Sequence, residues 1–344
     1  MKTGLKLGLA FSGMLVAFPA MFFAAPALSD ELNMVCSNEQ DWCDLMVANF
    51  EAKTGINVAM VRKSTGETLA QVRAESSNPK IDIWWGGTGD PHLVAAQEGL
   101  TQASGVDTSE LQDWAVNLSN ISEGKTIGIH LGVLGVAYNT EVLAEKGLNP
   151  PACWMDLTKA EYKGEIQVAN PNSSGTAYTE LATIVQVFGE DEGFKILKDI
   201  GENINQYTKS GSAPSKAAGR GETTISIGFQ HDMIKLAIAG FPLAIVTPCE
   251  GTGYEVGGVS IIAGAKNFDS AKKWVEYVIS AEAQNHGPEV NVFNVPSNKN
   301  ATIPKEAPPI ASLKLIDYDF ATYGSSETRE RLLARWDAEV GDLN

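Results

Sequence analysis

The residues with the clearest chemical potential lie in the stretch NPNSSGTAYTEL, residues 170–181. Ser173, Ser174, Gly175 and Thr176 stand between a strand-like segment, GEIQVAN (164–170), and the segment 177–188, whose Leu181, Ile184, Val185 and Phe188 mark one helical face. Hydroxyls and a glycine at a helix start meet free backbone N–H groups and the positive end of the helix dipole, which is the make-up of an anion pocket. Taken alone, one of the serines, or Thr176, reads first as an N-cap and only second as part of such a pocket. The same kind of loop recurs, however. Ser37, Asn38 and Glu39 follow one strand-like run, Ser64, Thr65 and Gly66 a second, and Gly86, Gly87 and Thr88 a third, each ahead of a helix. In open α/β sheets such carboxyl-end loops are where ligands bind. Several of them on one side of a cleft predict an oxyanion site.

A second group differs in chemistry. His231 and Asp232 in GFQHDM suit a polyol, because a carboxyl group meets adjacent hydroxyls and an imidazole donates or accepts. A satisfied buried pair or a helix cap is the competing reading. Glu250 and Glu255, in CEGTGYE, are candidates for binding hydroxyls or an amine, against a solvated turn. Trp42, Trp84 and Trp85 offer stacking faces, but strand alternation sends Trp84 and Trp85 to opposite sides, so at most one of that pair reaches a cleft. Catalysis finds little support. The four histidines, His92, His130, His231 and His286, are widely spaced, and there is no HExxH or GxSxG. No cofactor is implied.

The elements that must position these residues alternate. Strand, helix, strand, helix, strand, helix over 32–99 predict a parallel sheet covered by helices, and a second alternation runs from Cys153 to 248. Two glycine-dotted extended stretches, 126–139 and 251–265, read as crossings. The expected architecture is α/β: two α/β domains joined by a two-segment hinge, with lobe 1 formed by 30–137 and 255–344 and lobe 2 by 138–254. Residues 1–29 carry Lys2 and Lys6, an apolar run, and small Ala27 and Ser29 before Asp30, the pattern of a cleaved signal peptide leading to the periplasm. Its removal takes the formal net charge from −16 to −18, which argues against nucleic acid and anionic membrane surfaces but not against a small anion. The four cysteines of an exported chain read as disulfides with three possible connectivities. Cys36 and Cys43, flanking a turn into a helix, suit a local bridge, which leaves Cys153 with Cys249. A metal site would need clustered Cys/His spacing, and none is present.

The motifs VCSNEQDWC (35–43), KIDIWWGG (80–87), ANPNSSGTAYT (169–179), NINQYTKSGSAP (203–214) and PCEGTGYE (248–255) occur in an order that resembles the type II periplasmic substrate-binding proteins of ABC importers. The similar branch is the one that binds ferric iron, sugar phosphates, aminoethylphosphonate or thiamine. The resemblance covers nearly the whole chain after residue 29. It implies a two-lobed periplasmic-binding-protein type II fold, hinge closure on one small ligand, a permease partner and a monomeric, non-enzymatic protein. Iron-binding members carry adjacent tyrosines where this chain has Phe229, Gln230, His231 and Asp232, so the resemblance implies an organic anion, foremost a phosphorylated sugar, ahead of iron. Aminoethylphosphonate, thiamine or ferric iron bound by the same fold, and a sensing role, remain alternatives at this level.

Overall fold

The computed structural model describes residues 1–5, 8 and 31–341, so the apolar run of the expected signal peptide lies outside the described residues. Lobe 1 opens with β1 (Glu31–Cys36), α1 (Gln40–Thr54), β2 (Asn57–Arg62), α2 (Thr65–Ala74), β3 (Ile83–Thr88) and α3 (Gly89–Gln97), followed by β4 (Thr101–Gln102) and α4 (Asp113–Ile121). Helix α1 buries Trp42, Cys43, Met46 and Phe50 on one stripe and stops at Gly55, whose φ of 71° is the left-handed conformation that glycine adopts without strain. Strand β1 lies between β2 and β3, parallel to both, in the register Met34↔Met60 and Met34↔Ile83. Period-two alternation divides the tryptophans as expected. Trp85 joins the core under α1, and Trp84 joins the opposite core with Val35, Leu69 and Val94, stacked on His92 at 3.8 Å. Both are core residues, and neither reaches the cleft.

The crossing stretch 126–139 is one strand, β5 (Ile127–Asn139), shared by both lobes. Its first half pairs antiparallel with β10 (Tyr254–Ile262), while Leu134–Asn139 pair with β8 (Ile225–Phe229) and β9 (Leu243–Val246). Lobe 2 adds α5 (Thr140–Glu145), β6 (Ile166–Ala169), α6 (Gly175–Phe188), α7 (Glu190–Gly201), β7 (Ile204–Thr208), α8 (Ala213–Gly219) and α9 (Gln230–Ile238). Strand β6 runs parallel to β7 and β8. The expectation of parallel sheets therefore holds for the βα repeats, while β5 and β10, which carry the chain between lobes, run antiparallel to their neighbours.

Strand β10 returns the chain to lobe 1, where α10 (Phe268–Val278), α11 (Ala281–Gln284) and β11 (Val295–Pro296) complete the fold. After α12 (Phe320–Tyr323), α13 (Ser326–Glu339) begins against lobe 1, where the Ser326 N–H donates to Gln97 Oε1 at 2.8 Å, and buries its second half against lobe 2. Leu332, Trp336 and Val340 are buried against the lobe 2 core. The Trp336 ring meets Tyr207 edge-on at 5.2 Å, and the Arg335 guanidinium covers Phe194 at 4.3 Å. An amphipathic pattern fixes which face of a helix is buried, not which core receives it.

Both expected disulfides are formed. Cys36–Cys43 bridges a separation of 7 residues and Cys153–Cys249 one of 96. In the chain-entropy account the stabilisation grows with the loop, to about 2 kcal/mol for the short bridge and about 4–5 kcal/mol for the long one. Replacing Cys153 and Cys249 by serine is thus expected to shift the urea unfolding midpoint more than replacing Cys36 and Cys43. Equal shifts would mean that loop entropy is not what the long bridge contributes.

Candidate functional site

The two lobes face each other across a cleft of about 650 Å³, mouth included. The N-cap residues of six helices line it: Glu39, Ser64, Thr88, Ser174, Ser212 and Phe229, ahead of α1, α2, α3, α6, α8 and α9. Each helix begins just past the end of a strand or loop, so the sheet order aims their N-termini at one volume. Their unpaired N–H groups and dipoles make that volume electropositive without many free cations.

One end of the cleft is built of hydroxyls. Ser64, Thr65, Thr88, Ser174, Gly175 and Thr176 all line it. The Ser174 Oγ accepts from the Ala177 N–H at 3.4 Å and so does cap α6, but its own proton remains free to donate. Cap and anion donor are therefore compatible readings of this residue. Thr88 caps α3 only by its backbone conformation, and its buried Oγ1 has no partner. The Ser37 hydroxyl, by contrast, is engaged inside the lobe, accepting from Trp84 Nε1 at 3.0 Å and facing Thr68 Oγ1 at 3.2 Å. Asn38 accepts from the Gly87 N–H through Oδ1 at 3.2 Å, while its buried Nδ2 is unpaired. Gly87, at φ 76°, permits this close approach. A Cβ there would stand 2.8 Å from Thr65 Oγ1.

The other end holds His231, Asp232, Glu255 and His130. His130 Nε2 meets Glu255 Oε1 at 3.4 Å, and the His130 and His231 rings lie 6.4 Å apart. Burial, with His130 adding to it, holds the His231 imidazole neutral, its pKa lowered to about 3. Burial, together with the nearby Glu39 charge, raises the Asp232 carboxyl well above its usual range. The contact between His231 Nε2 and Asp232 Oδ1 at 3.7 Å is accordingly made by a neutral imidazole and is not an ion pair.

Charges close the mouth. Lys216 of lobe 2 binds Glu39 of lobe 1 at 2.6 Å, and Lys235 pairs with Asp41 across the same gap. Burial raises the Glu39 pKa, but the Lys216 charge and hydrogen bond, Ser212 and Arg62 outweigh it and leave the carboxyl below its ordinary value. Arg62 donates to Asn38 O at 3.1 Å and reaches Ser210 Oγ of lobe 2 at 3.4 Å. Behind the hydroxyl end, the Gly66 N–H donates to Ser173 O at 3.0 Å, backbone to backbone between lobes.

The structure thus brings Ser37, Asn38, Ser64, Thr65, Gly87, Thr88, Ser174, Gly175, Thr176, His231, Asp232 and Glu255 to one cleft. Two sequence candidates stay outside. Ser173 turns its hydroxyl to the carbonyls of Asn170 and Lys209. Glu250 accepts from the Trp154 and Met155 N–H groups at 2.8 and 3.0 Å, capping the short helix beside the Cys153–Cys249 bridge. Sequence reasoning missed Arg62, His130, Ser212, Lys235 and Asn294. Ser212 carried a signal, since KSGSAP is another hydroxyl–glycine loop before a helix. His130 and Asn294 carried none. Among the described residues, Cys153, Cys249 and Glu250 form a group close enough for a metal, but the sulfurs are spent in a disulfide and are not thiolates.

Comparison with known proteins supplies the remaining observations. Residues 78–322 match the family described as bacterial extracellular solute-binding protein. The periplasmic binding protein AfuA from Actinobacillus pleuropneumoniae, solved with exogenous fructose-6-phosphate bound, is 40% identical with a TM-score of 0.87, over 91% of this chain and 99% of that one. The periplasmic binding protein P5PA is 35% identical with a TM-score of 0.87, over 91% and 100%. The apo ferric ion-binding protein A of Pasteurella haemolytica shares the two-lobed fold at 19% identity and a TM-score of 0.72, over 90% and 98%. No helix among the described residues is long and apolar enough to cross a membrane.

Proposed function

The chain belongs to the bacterial extracellular solute-binding proteins, the periplasmic ligand-binding components of ABC importers, and from that premise we propose that its cleft captures a phosphorylated sugar. The observation that carries the reading is the division of the cleft into two chemically different ends. The hydroxyl end, at the N-termini of α2, α3 and α6, suits a phosphate monoester, whose oxygens only accept. The His231–Asp232 end suits hydroxyls: the neutral imidazole donates or accepts, and the carboxyl group meets two adjacent hydroxyls. The similarity to AfuA, a protein solved with fructose-6-phosphate, points the same way.

Binding in this reading proceeds by closure. An open cleft admits the phosphate to the N–H groups and hydroxyls. The lobes then rotate together, Lys216 and Lys235 meet Glu39 and Asp41, and water leaves. Each polar group of the ligand must then find a partner, because an unpaired buried group is costly. Asp232→Ala is expected to weaken fructose 6-phosphate at least tenfold, about 1.4 kcal/mol, by titration calorimetry. Unchanged affinity would remove Asp232 from the site. A thermal-shift panel tests the ligand class, since ligand bound only by the folded state raises the melting temperature. A shift with ferric citrate or a cation alone, and none with phosphate esters, would overturn the proposal.

A further inference from the structure

Three cleft residues are used by neither the hydroxyl loops nor the His231–Asp232 pair. Trp42, His130 and Asn294 line the cleft and are only 9%, 3% and 8% exposed. Each holds a buried polar atom without a partner: Trp42 Nε1, His130 Nδ1 and Asn294 Oδ1. All three come from lobe 1. Trp42 sits in the first turn of α1 and His130 in β5, 5.4 Å from the Trp42 ring. Asn294 precedes β11, whose Pro296 pairs opposite His130, and the neighbouring Val292 packs in the same core cluster as Trp42. They therefore gather around one end of the cleft, on the His130–Glu255 side and away from the hydroxyl loops.

The three atoms differ in what they ask for. An indole N–H only donates, and an amide oxygen only accepts. The second nitrogen of His130 takes whichever role its contact with Glu255 leaves. Buried polar atoms in native structures are ordinarily paired, so unpaired ones of opposite kind, on residues that line one cavity, describe the group that completes them. A hydroxyl both accepts from Trp42 and donates to Asn294. A carboxylate accepts only, and would also face Glu255, which is 3% exposed.

We propose that Trp42, His130 and Asn294 form a specificity-determining end of the site that selects a neutral, hydroxyl-bearing terminus, so that among phosphate esters the protein takes polyol and sugar monophosphates and rejects those ending in a carboxylate. This deepens the reading above and rests on it.

The test uses a matched pair. Sorbitol 6-phosphate and 6-phosphogluconate differ only in a terminal CH₂OH against a carboxylate. Calorimetry on the ligand-stripped protein is expected to give at least a tenfold preference for sorbitol 6-phosphate. Asn294→Leu, which removes the acceptor that only a hydroxyl can use, is expected to cut that preference at least threefold, and Asn294→Ala does the same and guards against one variant failing to fold. Trp42→Phe, which keeps the ring and removes a donor that either terminus can use, is expected to weaken both esters and leave the preference standing. Equal binding of the two esters by the wild type, an unchanged preference in the folded Asn294 variants, or unchanged affinity for both esters in Trp42→Phe, overturns the inference while leaving the phosphate reading intact. Absence of binding by either ester overturns both.

Discussion

Thr176→Asp is expected to abolish binding of phosphate esters. Thr176 lies in the first turn of α6, lines the hydroxyl end of the cleft and neighbours Ser174 and Gly211. A carboxylate placed about 4 Å from a single phosphate charge costs about 4 kcal/mol at the effective dielectric of a partly buried site, which is roughly a thousandfold in affinity. The substitution leaves the fold intact, because an acidic residue in a first turn complements the helix dipole. The unliganded melting temperature is therefore expected to stay level or rise while calorimetric binding of fructose 6-phosphate disappears. Affinity within tenfold of the wild type would show that the phosphate lies elsewhere.

Gly66→Ala should act on closure instead of on contact with the ligand. Gly66 opens α2 in lobe 1, and a Cβ there would stand 2.9 Å from the carbonyl carbon and oxygen of Ser173, with Asn172 O closer still. The obstructing atoms are backbone, so no side chain can rotate away. The clash exists only while the lobes are together, where the Gly66 N–H bonds Ser173 O at 3.0 Å. The variant thus raises the free energy of the closed state alone, and apparent affinity falls with the closed population. At least a tenfold loss is expected, about 1.4 kcal/mol, with the unliganded melting temperature unchanged. Small-angle scattering should show that contracting the protein takes correspondingly more ligand. Wild-type affinity would mean that ligand is held without this approach of the lobes.

Much of this organisation was legible in the residues. The spacing of Leu181, Ile184 and Val185 placed α6 and its start, and those three side chains are buried. The βα repeats of lobe 1 were visible because each strand ends in a polar, glycine-bearing loop and each helix carries one apolar stripe. The disulfide pairing followed from the short spacing of Cys36 and Cys43. What could not be read is whatever depends on residues far apart in sequence. Glu250 and Glu255 look alike in CEGTGYE, yet the first lies in the loop and caps a short helix, while the second lies in β10 and lines the cleft. Only the end of β10 separates their fates. His130 and Asn294 meet the site because β11 pairs with β5, a register that a two-residue strand does not announce. Trp42 outranked Trp84 and Trp85 for a similar reason, since both strand tryptophans fell under helices.

The placement of α13 bears on the order in which the protein is made. Tyr207, Phe194 and Leu197 belong to a core whose cover includes Trp336 and Val340. A ribosome that has finished every strand of lobe 2 has still not delivered that lid. Until residue 340 emerges, the lobe lacks the piece that seals it, and its closure waits on a contact of very long sequence separation, the slow kind. The chain order thus makes α13 the last cover to be laid, so the Tyr207 and Phe194 face of lobe 2 stays uncovered while most of the molecule is being synthesised.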